Sequence, residues 1–376
     1  MTATLRADLH VHTCHSTESG NLRFLGSRDC YSRPADVYRV AKARGMDLVA
    51  FTDHDSIGGA LDLLSERPDL EPEVIVGEEV SCRLPDGNLQ VHLAVYGMTE
   101  ALHREVQPLR ENVFDVIAHL RAAGAFFALN HLLHFYRGQL PLERYLRLLD
   151  EVPALEVRNG TMAEAHNRLL ETFPQGVGNR FDNWLQIDAR RAPVGGNRSG
   201  CLQLSKRFPT PCGKTTPIGK TAGSDAHTLR RVGTTWIEAP GRTRDEFLDS
   251  LRRGLGVPGG AHGTTATIAG DAYTVIAQYV ASLLGFGPRD LPPLRRAACL
   301  AFSLVSLPCQ FIPLVLAARS KAGERRAIEE LTAYLADRAG RDHAAVADLD
   351  ELRDPSQPPL SDQRSVPLGR RASPTA

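Results

Sequence analysis

Seven short apolar runs, each closing on polar residues, set the strongest limit on what this chain can become. They lie at 5–11, 48–52, 74–76, 91–96, 125–129, 154–157 and 232–237. Their length and their polar boundaries suit buried strands. Helical patterns separate several of them. Residues 34–44 carry Pro34 near the first helical position, apolar Val37, Val40 and Ala41 on one face, and Gly45 as the stop. Residues 245–253 follow Thr243 and Glu246 in capping-box spacing and run into Gly254. Strand and helix alternate, which predicts an α/β chain built on a parallel sheet or barrel. In barrels of that kind chemistry collects at strand ends, because the packed interior leaves no room for a substrate.

Two regions break the alternation. Between about 175 and 221, Gly, Pro, Asn, Arg and Thr crowd together with little periodicity. A stretch of that length inside a domain reads as an irregular insertion, disordered by default and otherwise a lid. Residues 297–318 are uncharged and apolar, flanked by Arg295, Arg296 and Arg319, and interrupted by Pro308, Gln310 and Pro313. Length alone would let them cross a bilayer. With one such candidate, a buried or partner-facing helical hairpin is preferred to membrane attachment. Residues 1–255 are expected to form the catalytic domain, 256–350 a mainly helical extension, and 351–376, rich in Pro, Ser and Arg, a disordered tail.

Charge narrows the function. The 44 basic and 44 acidic residues cancel, which argues against a protein that grips polyanions through a broad field. Seven cysteines, an odd number, are scattered through a chain that opens without a charged-then-apolar signal segment. Reduced thiols and a cytoplasmic location are therefore expected, with peripheral membrane association through 297–318 as the alternative. There is no CxxC pair, so a structural thiolate zinc site is not expected and the 13 histidines become the place to look for ligands.

Those histidines are not scattered. Asp8, His10 and His12 alternate along the first run, so their side chains share a face and the two imidazoles can take one ion, with Asp8 orienting one of them from behind. Thr52-Asp53-His54-Asp55 closes the second run with an imidazole between two carboxylates. Glu78 and Glu79 follow the third run and Gly77, and a carboxylate there can bridge two ions, one per oxygen. His92 sits at the start of the fourth run, and Asn130 and His131 close the fifth. Gly223-Ser224-Asp225-Ala226-His227 places another acid and imidazole two residues apart. An isolated pair of strand histidines would only line a polar surface. This many nitrogen and oxygen donors at strand ends point instead to a polynuclear metal site.

With these motifs in this order, the chain resembles the polymerase and histidinol phosphatase superfamily, the PHP domains. The likeness rests on Asp8-Leu9-His10-Val11-His12-Thr13, Phe51-Thr52-Asp53-His54-Asp55, Gly77-Glu78-Glu79-Val80-Ser81, Val91-His92-Leu93 and Gly223-Ser224-Asp225-Ala226-His227, and it covers roughly residues 1–255. It implies a distorted (β/α)7 barrel with two or three divalent ions. By the family pattern His10, His12, Glu78 and Asp225 would hold the first ion. Glu78 would bridge to a second held also by His92 and His131, and His54 and His227 would hold a third. Zinc, manganese or iron could fill such sites. Relatives often carry an Asp before a Gly shortly after HxH, whereas here Cys14-His15-Ser16-Thr17-Glu18-Ser19-Gly20 stands in that place, and His15 is preferred to Glu18 as the substitute.

The resemblance implies hydrolysis of a phosphoester by a metal-bound hydroxide, which needs no side-chain nucleophile. Cys14, Cys30 and Cys82 are accordingly expected to be small buried residues. His227 or Asp55 is expected to protonate the leaving group, and Arg158 or Arg230 to hold a substrate phosphate. His134 is read as packed and hydrogen-bonded, and His103, His119, His262 and His343 as structural or exposed. The competing readings are an amidohydrolase-type C–N hydrolase and an inactive metal-binding scaffold or regulatory module. The bridging Glu78 and the Thr-Asp-His-Asp motif argue against the first, and the nearly complete ligand set against the second. Gly213-Lys214-Thr215 lacks the first glycine of a Walker loop. Neutral charge and few aromatics favour a small phosphorylated metabolite, nucleotide or short oligonucleotide over extended nucleic acid.

Overall fold

The computed structural model describes residues 3–16, 26–85, 89–172, 218–286 and 292–351, with 338–351 described for the backbone alone. Among them, nine strands form one sheet: β1 (Thr4–Val11), β2 (Leu48–Phe51), β3 (Val74–Leu84), β4 (Leu89–Tyr96), β5 (Phe126–Leu129), β6 (Ala154–Asn159), β7 (Gly219–Gly223), β8 (Thr235–Pro240) and β9 (Val257–Gly260). Their order across the sheet is β7-β6-β5-β4-β3-β2-β1-β8-β9. Strands β1, β2 and β3 run parallel, β4 is antiparallel to both β3 and β5, and β5, β6 and β7 are parallel again.

The far end of this sheet returns to β1. Val11 bridges Ala226 in parallel just beyond β7. The His12 amide donates to the Ala226 carbonyl at 3.0 Å, and the Ala226 amide to the His10 carbonyl at 3.3 Å. The result is a mixed α/β fold around a nearly closed, barrel-like sheet. Closure depends on Gly223, where a Cβ would lie 2.3 Å from the His10 Cβ and 2.4 Å from the His10 nitrogen. Because the obstacle is backbone, Gly223→Ala is expected to cost about 1–3 kcal/mol and to displace His10. An unchanged urea midpoint would mean that the two strands do not meet this closely.

Two apolar clusters support the sheet. Ala7, Leu9, Ile75, Phe126 and Ala222 pack with Phe247 and Leu251 of helix Arg244–Arg252. Val11, Val49 and Phe51 pack with Val37 and Ala41 of α1 (Pro34–Ala43) and Ala60 and Leu63 of α2 (Gly58–Glu66). Further helices are α3 (Glu100–Val106), α4 (Val113–Ala122), α5 (Leu142–Leu146), α6 (Leu148–Glu151) and α7 (Glu164–Thr172). They are followed by α8 (the Arg244–Arg252 helix), α9 (Thr265–Leu283), α10 (Pro293–Val305) and α11 (Ile312–Glu351). Both helices expected from the sequence form, with Pro34 at the start of α1 and the Thr243 side chain accepting from the Glu246 amide at α8.

The alternation is less regular than the sequence suggests. Strands β3 and β4 pair as a hairpin, since Leu84 and Leu89 are too close in sequence for a helix between them. Residues 219–221, expected to belong to the insertion, form most of β7. Gly-Lys-Thr-Ala-Gly has no apolar run, and only its burial between β6 and β1 makes it a strand. The insertion before it, at 173–217, and the tail after 351 lie outside the described residues. By compactness the chain divides into Met1–Arg325 and Arg326–Ala376. The apolar stretch 297–318 is buried only at points such as Cys299 and Ala317: it belongs to α10, a break at 306–311 and the start of α11, with Leu304 66% and Val305 80% exposed. Among the described residues, no single helix is long and apolar enough to cross a membrane.

Candidate metal centre

Strand alternation builds the site. Along β1, Ala7, Leu9 and Val11 enter the apolar clusters, which turns Asp8, His10 and His12 to the other face, all of them buried. On β3 the same rule separates the two adjacent glutamates. Val80, Cys82 and Leu84 are buried apolar residues, and Glu78 shares their side of the strand. Glu79, Ser81 and Arg83 share the opposite side.

Glu79 is the hub. Its Oε2 lies 3.1 Å from His10 Nε2, 3.4 Å from His12 Nε2 and 3.2 Å from His54 Nδ1. Its Oε1 lies 3.1 Å from His92 Nδ1 and 3.0 Å from His131 Nε2, and accepts from Asn130 Nδ2 at 2.9 Å. Asp225, at the end of β7, places Oδ1 3.6 Å from His10 Nε2, 3.4 Å from His12 Nε2 and 3.6 Å from His227 Nδ1. Asp29, in the connection before α1, places Oδ2 3.7 Å from both His54 Nε2 and His227 Nε2. These donors fall into overlapping groups suited to one ion each: His12, Asp29, His54 and His227; His10, His131 and Asp225; His10, His12 and Glu79; and His54, Glu79 and His92.

Outer contacts aim the rings. His10 Nδ1 lies 2.8 Å from Glu156 Oε1, so a proton on Nδ1 leaves the Nε2 lone pair facing Glu79 and Asp225. Glu156 Oε2 also accepts from the His131 amide and from Asn159 Nδ2, each at 2.9 Å. His12 Nδ1 meets Ser16 Oγ at 3.1 Å, and His227 Nδ1 meets the Asp225 carbonyl at 3.2 Å. Glu156→Gln is therefore expected to weaken metal affinity about 10- to 100-fold, read by competition with a chelating dye. Wild-type affinity in that variant would remove Glu156 from the positioning role.

The donor set fits divalent cations. His10 Nε2, His12 Nε2, Glu79 Oε2 and both Asp29 carboxylate oxygens are buried without a hydrogen bond of acceptable geometry, a cost that coordination would relieve. Burial works against charge on His10, yet Glu79, Asp225 and Glu156 outweigh it and hold its pKa well above the ordinary imidazole value. Burial and the neighbouring His227 push His12 down to about 4. Burial raises Asp29 to about 7. Glu79 and Asp225 resist burial because the surrounding histidines hold both carboxyls well below their ordinary range. Imidazole and carboxylate donors without a thiolate suit zinc, manganese or iron.

Backbone conformation marks the same place. Among the described residues, the non-glycine positions with positive φ are Asp55 (50°), His131 (28°) and Asp225 (51°). Each lies within four residues of the end of a strand. Such conformations cost energy and collect at functional sites.

The structure brings together His10, His12, His54, His92, His131, Asp225 and His227 from the sequence reading, and replaces other members of it. Glu78 does not bridge, because it shares the apolar side of β3. It meets His103 Nδ1 at 2.8 Å and accepts from Gln107 Nε2 at 2.6 Å, away from the cluster. His15 is turned out to Asp62, 3.3 Å away, and joins none of the donor groups, while Glu18 lies outside the described residues. Asp55 is tied to Arg110 and accepts from the Ser81 amide at 2.8 Å, outside the donor groups. Arg158 is paired with Glu171 at 2.6 Å. Asp8 does not orient an imidazole: it accepts from Ser224 N, Ser224 Oγ and Gly233 N at 2.8, 2.5 and 2.7 Å, pinning β1 to β7.

Two members of the cluster were missed and a third was assigned to its neighbour. Glu156 did carry a signal, a lone acid inside the apolar run 154–157. Glu79 was named beside Glu78 as a possible bridge and the family pattern favoured Glu78, although apolar residues at 80, 82 and 84 leave 79 on the polar side. Asp29 carried no signal, being an ordinary acid in a connecting loop.

Comparison with known proteins bears on the last of these motifs, Gly223–His227. Residues 214–255 match the family model PHP_C, described as PHP-associated. Over 76 residues the chain is 34% identical to an uncharacterized protein of Methanocaldococcus jannaschii, a stretch covering 20% of this chain and 44% of that one. The chain thus matches less than half the length of that relative. A two-domain protein from Bacteroides vulgatus, containing a predicted PHP-like metal-dependent phosphoesterase, aligns at 17% identity over 69% of this chain and 66% of its own, with a TM-score of 0.40. An amidohydrolase from Chromobacterium violaceum aligns at 15% identity over 60% of this chain and 89% of its own, with a TM-score of 0.37. Structural likeness this loose carries no argument about chemistry.

Proposed function

We propose that the chain is a PHP-domain protein, a reading supported by its ordered motifs and by the match of residues 214–255 to the PHP-associated model, that its buried cluster holds two or three divalent ions and that it hydrolyses a phosphoester in a small phosphorylated metabolite, nucleotide or short oligonucleotide. The observation that carries this reading is Glu79, whose two oxygens are each surrounded by imidazoles from different strands. A carboxylate so placed is suited to join two ions while the histidines complete their shells.

Divalent ions there would acidify a bound water and screen the charge on a phosphoryl group, which is the chemistry phosphoester hydrolysis needs. The chain's own residues do the rest. Glu156 and Ser16 fix ring orientation at His10 and His12, so the Nε2 atoms face inward together. His227 has the most exposed side chain of the cluster, at 26%, followed by Asp29 at 16%, which puts the mouth of the site between them. With two ions bound and the His12, Asp29, His54 and His227 group unfilled, His227 would be the group best placed to pass a proton to a leaving oxygen, since Nδ1 faces the Asp225 carbonyl and Nε2 faces Asp29; with a third ion there, its Nε2 would be a ligand instead. With Arg158 committed to Glu171, Arg230, exposed three residues beyond His227, is the remaining arginine of the two for a substrate phosphate, beside the charge of the cluster itself.

The test is elemental analysis of protein purified without chelator, joined to phosphate release from nucleotides and sugar phosphates with manganese or zinc added. At least two equivalents of metal with turnover would support the phosphoesterase. Bound metal with hydrolysis of amides in place of phosphoesters would overturn it in favour of a C–N hydrolase, and absence of metal would overturn the centre itself.

A further inference from the structure

From the helices that follow the last strand, we infer that this protein docks on an anionic phospholipid surface through the α10–α11 corner. Apolar side chains there lie open to water: Leu294 is 86% exposed, Val305 80%, Phe311 61% and Leu316 56%. Leu304, Leu307, Ile312, Leu314 and Val315 extend the same tract. Soluble chains rarely leave so many large apolar side chains uncovered along one segment. The corner is nonetheless held in place. Cys299 and Leu300 of α10 pack against Tyr279 and Leu283 of α9 and against Tyr31, and the Tyr273 hydroxyl donates to the Gln310 carbonyl at 2.6 Å.

Charge selects the occupant. Between Asp290 and Glu324 the sequence has no acidic residue, while Arg295, Arg296 and Arg319 fall within or beside the tract; Lys321 is taken by Glu324, 2.6 Å away. Arg295 and Arg319 are exposed. A second copy of the chain would bring these arginines against their own equivalents. An anionic lipid surface would accept them and the apolar side chains at once, as interfacial helices do. No single helix here is long and apolar enough to span among the described residues, and the two helices that would pass together by length and composition, Pro293–Val305 and 307–337, are bent by 57° to each other, a corner suited to lying in the headgroup region. It is also linked to the metal centre. Thr228, beside His227, donates from Oγ1 to Asp271 of α9 at 3.0 Å, and Arg231 pairs with the same carboxylate at 3.6 Å.

The experiment is flotation of the full chain with vesicles of phosphatidylcholine alone and with phosphatidylglycerol added, over a salt series. Binding to the anionic vesicles that salt weakens is expected. It should fall roughly fivefold for each arginine removed in Arg295→Ala and Arg319→Ala, and should be lost in the Leu304→Asp, Val305→Asp double variant with metal content unchanged. Equal or absent binding to the two vesicle types would overturn the inference. So would a dimer that the double variant splits without any vesicle binding, or material that resists alkaline extraction as a spanning segment does.

Discussion

Glu79→Gln will lower phosphate release by more than 100-fold, roughly beyond what loss of an outer partner costs, and will reduce metal content, whereas Glu78→Gln will leave both close to wild type. The two acids are neighbours in sequence with the same chemistry, so the comparison isolates position. Glu79 faces five imidazoles and Asn130; Glu78 faces His103 and Gln107 on the other side of β3. An amide in place of Glu79 retains size and loses the negative charge that would join two cations. Thermal unfolding of both variants guards against misfolding as the cause. Equal loss in both would discard the strand-face argument, and full activity in Glu79→Gln would remove the bridging carboxylate from the mechanism.

Stripping the ions will lower the unfolding temperature as well as the activity, and returning manganese or zinc will restore both. The ions bind the folded chain and not the unfolded one, so at a free concentration a thousandfold above the dissociation constant each contributes about 4 kcal/mol. For a domain of this size that is roughly ten degrees or more. Acid will have the same effect as a chelator, because carboxylates and imidazoles must be unprotonated to coordinate. Calorimetry with and without EDTA decides the matter, and superimposable traces would mean that the cluster is satisfied without cations.

Much of this centre was legible before any coordinates. The runs that became β1 and β2 were bounded nearly as they form, and HxH on an alternating strand could only present both imidazoles to one face. The limits were physical ones. Choosing between Glu78 and Glu79 required reading the apolar alternation downstream of them, which Cys82 and Leu84 supply. Asp29 reaches the cluster through contacts distant in sequence, with Cys30 Sγ donating to the His12 carbonyl and the Cys14 amide to the Ser32 carbonyl, a tertiary event with no local pattern. Strand β7, Gly-Lys-Thr-Ala-Gly, is weak by propensity and becomes a strand by burial beside β6 and β1. Asp55 and Arg158 were credible from their positions at strand ends, and only the side chains of Arg110 and Glu171 show them to be engaged elsewhere.

The left-handed backbone at Asp55, His131 and Asp225 bears on how descendants of such a chain would diverge. Apart from glycine, that conformation is tolerated best by Asn, Asp and His. These are also residues a metal site uses. A copy that had lost its ions and its chemistry would still be held to the same few residues at 131 and 225 by backbone sterics alone, so their persistence would say little about activity. His10 and Glu79 stand on extended strands, with His12 just past the end of β1, where valine or threonine would serve the backbone better. Their survival or loss is the record to consult when deciding which relatives remain enzymes.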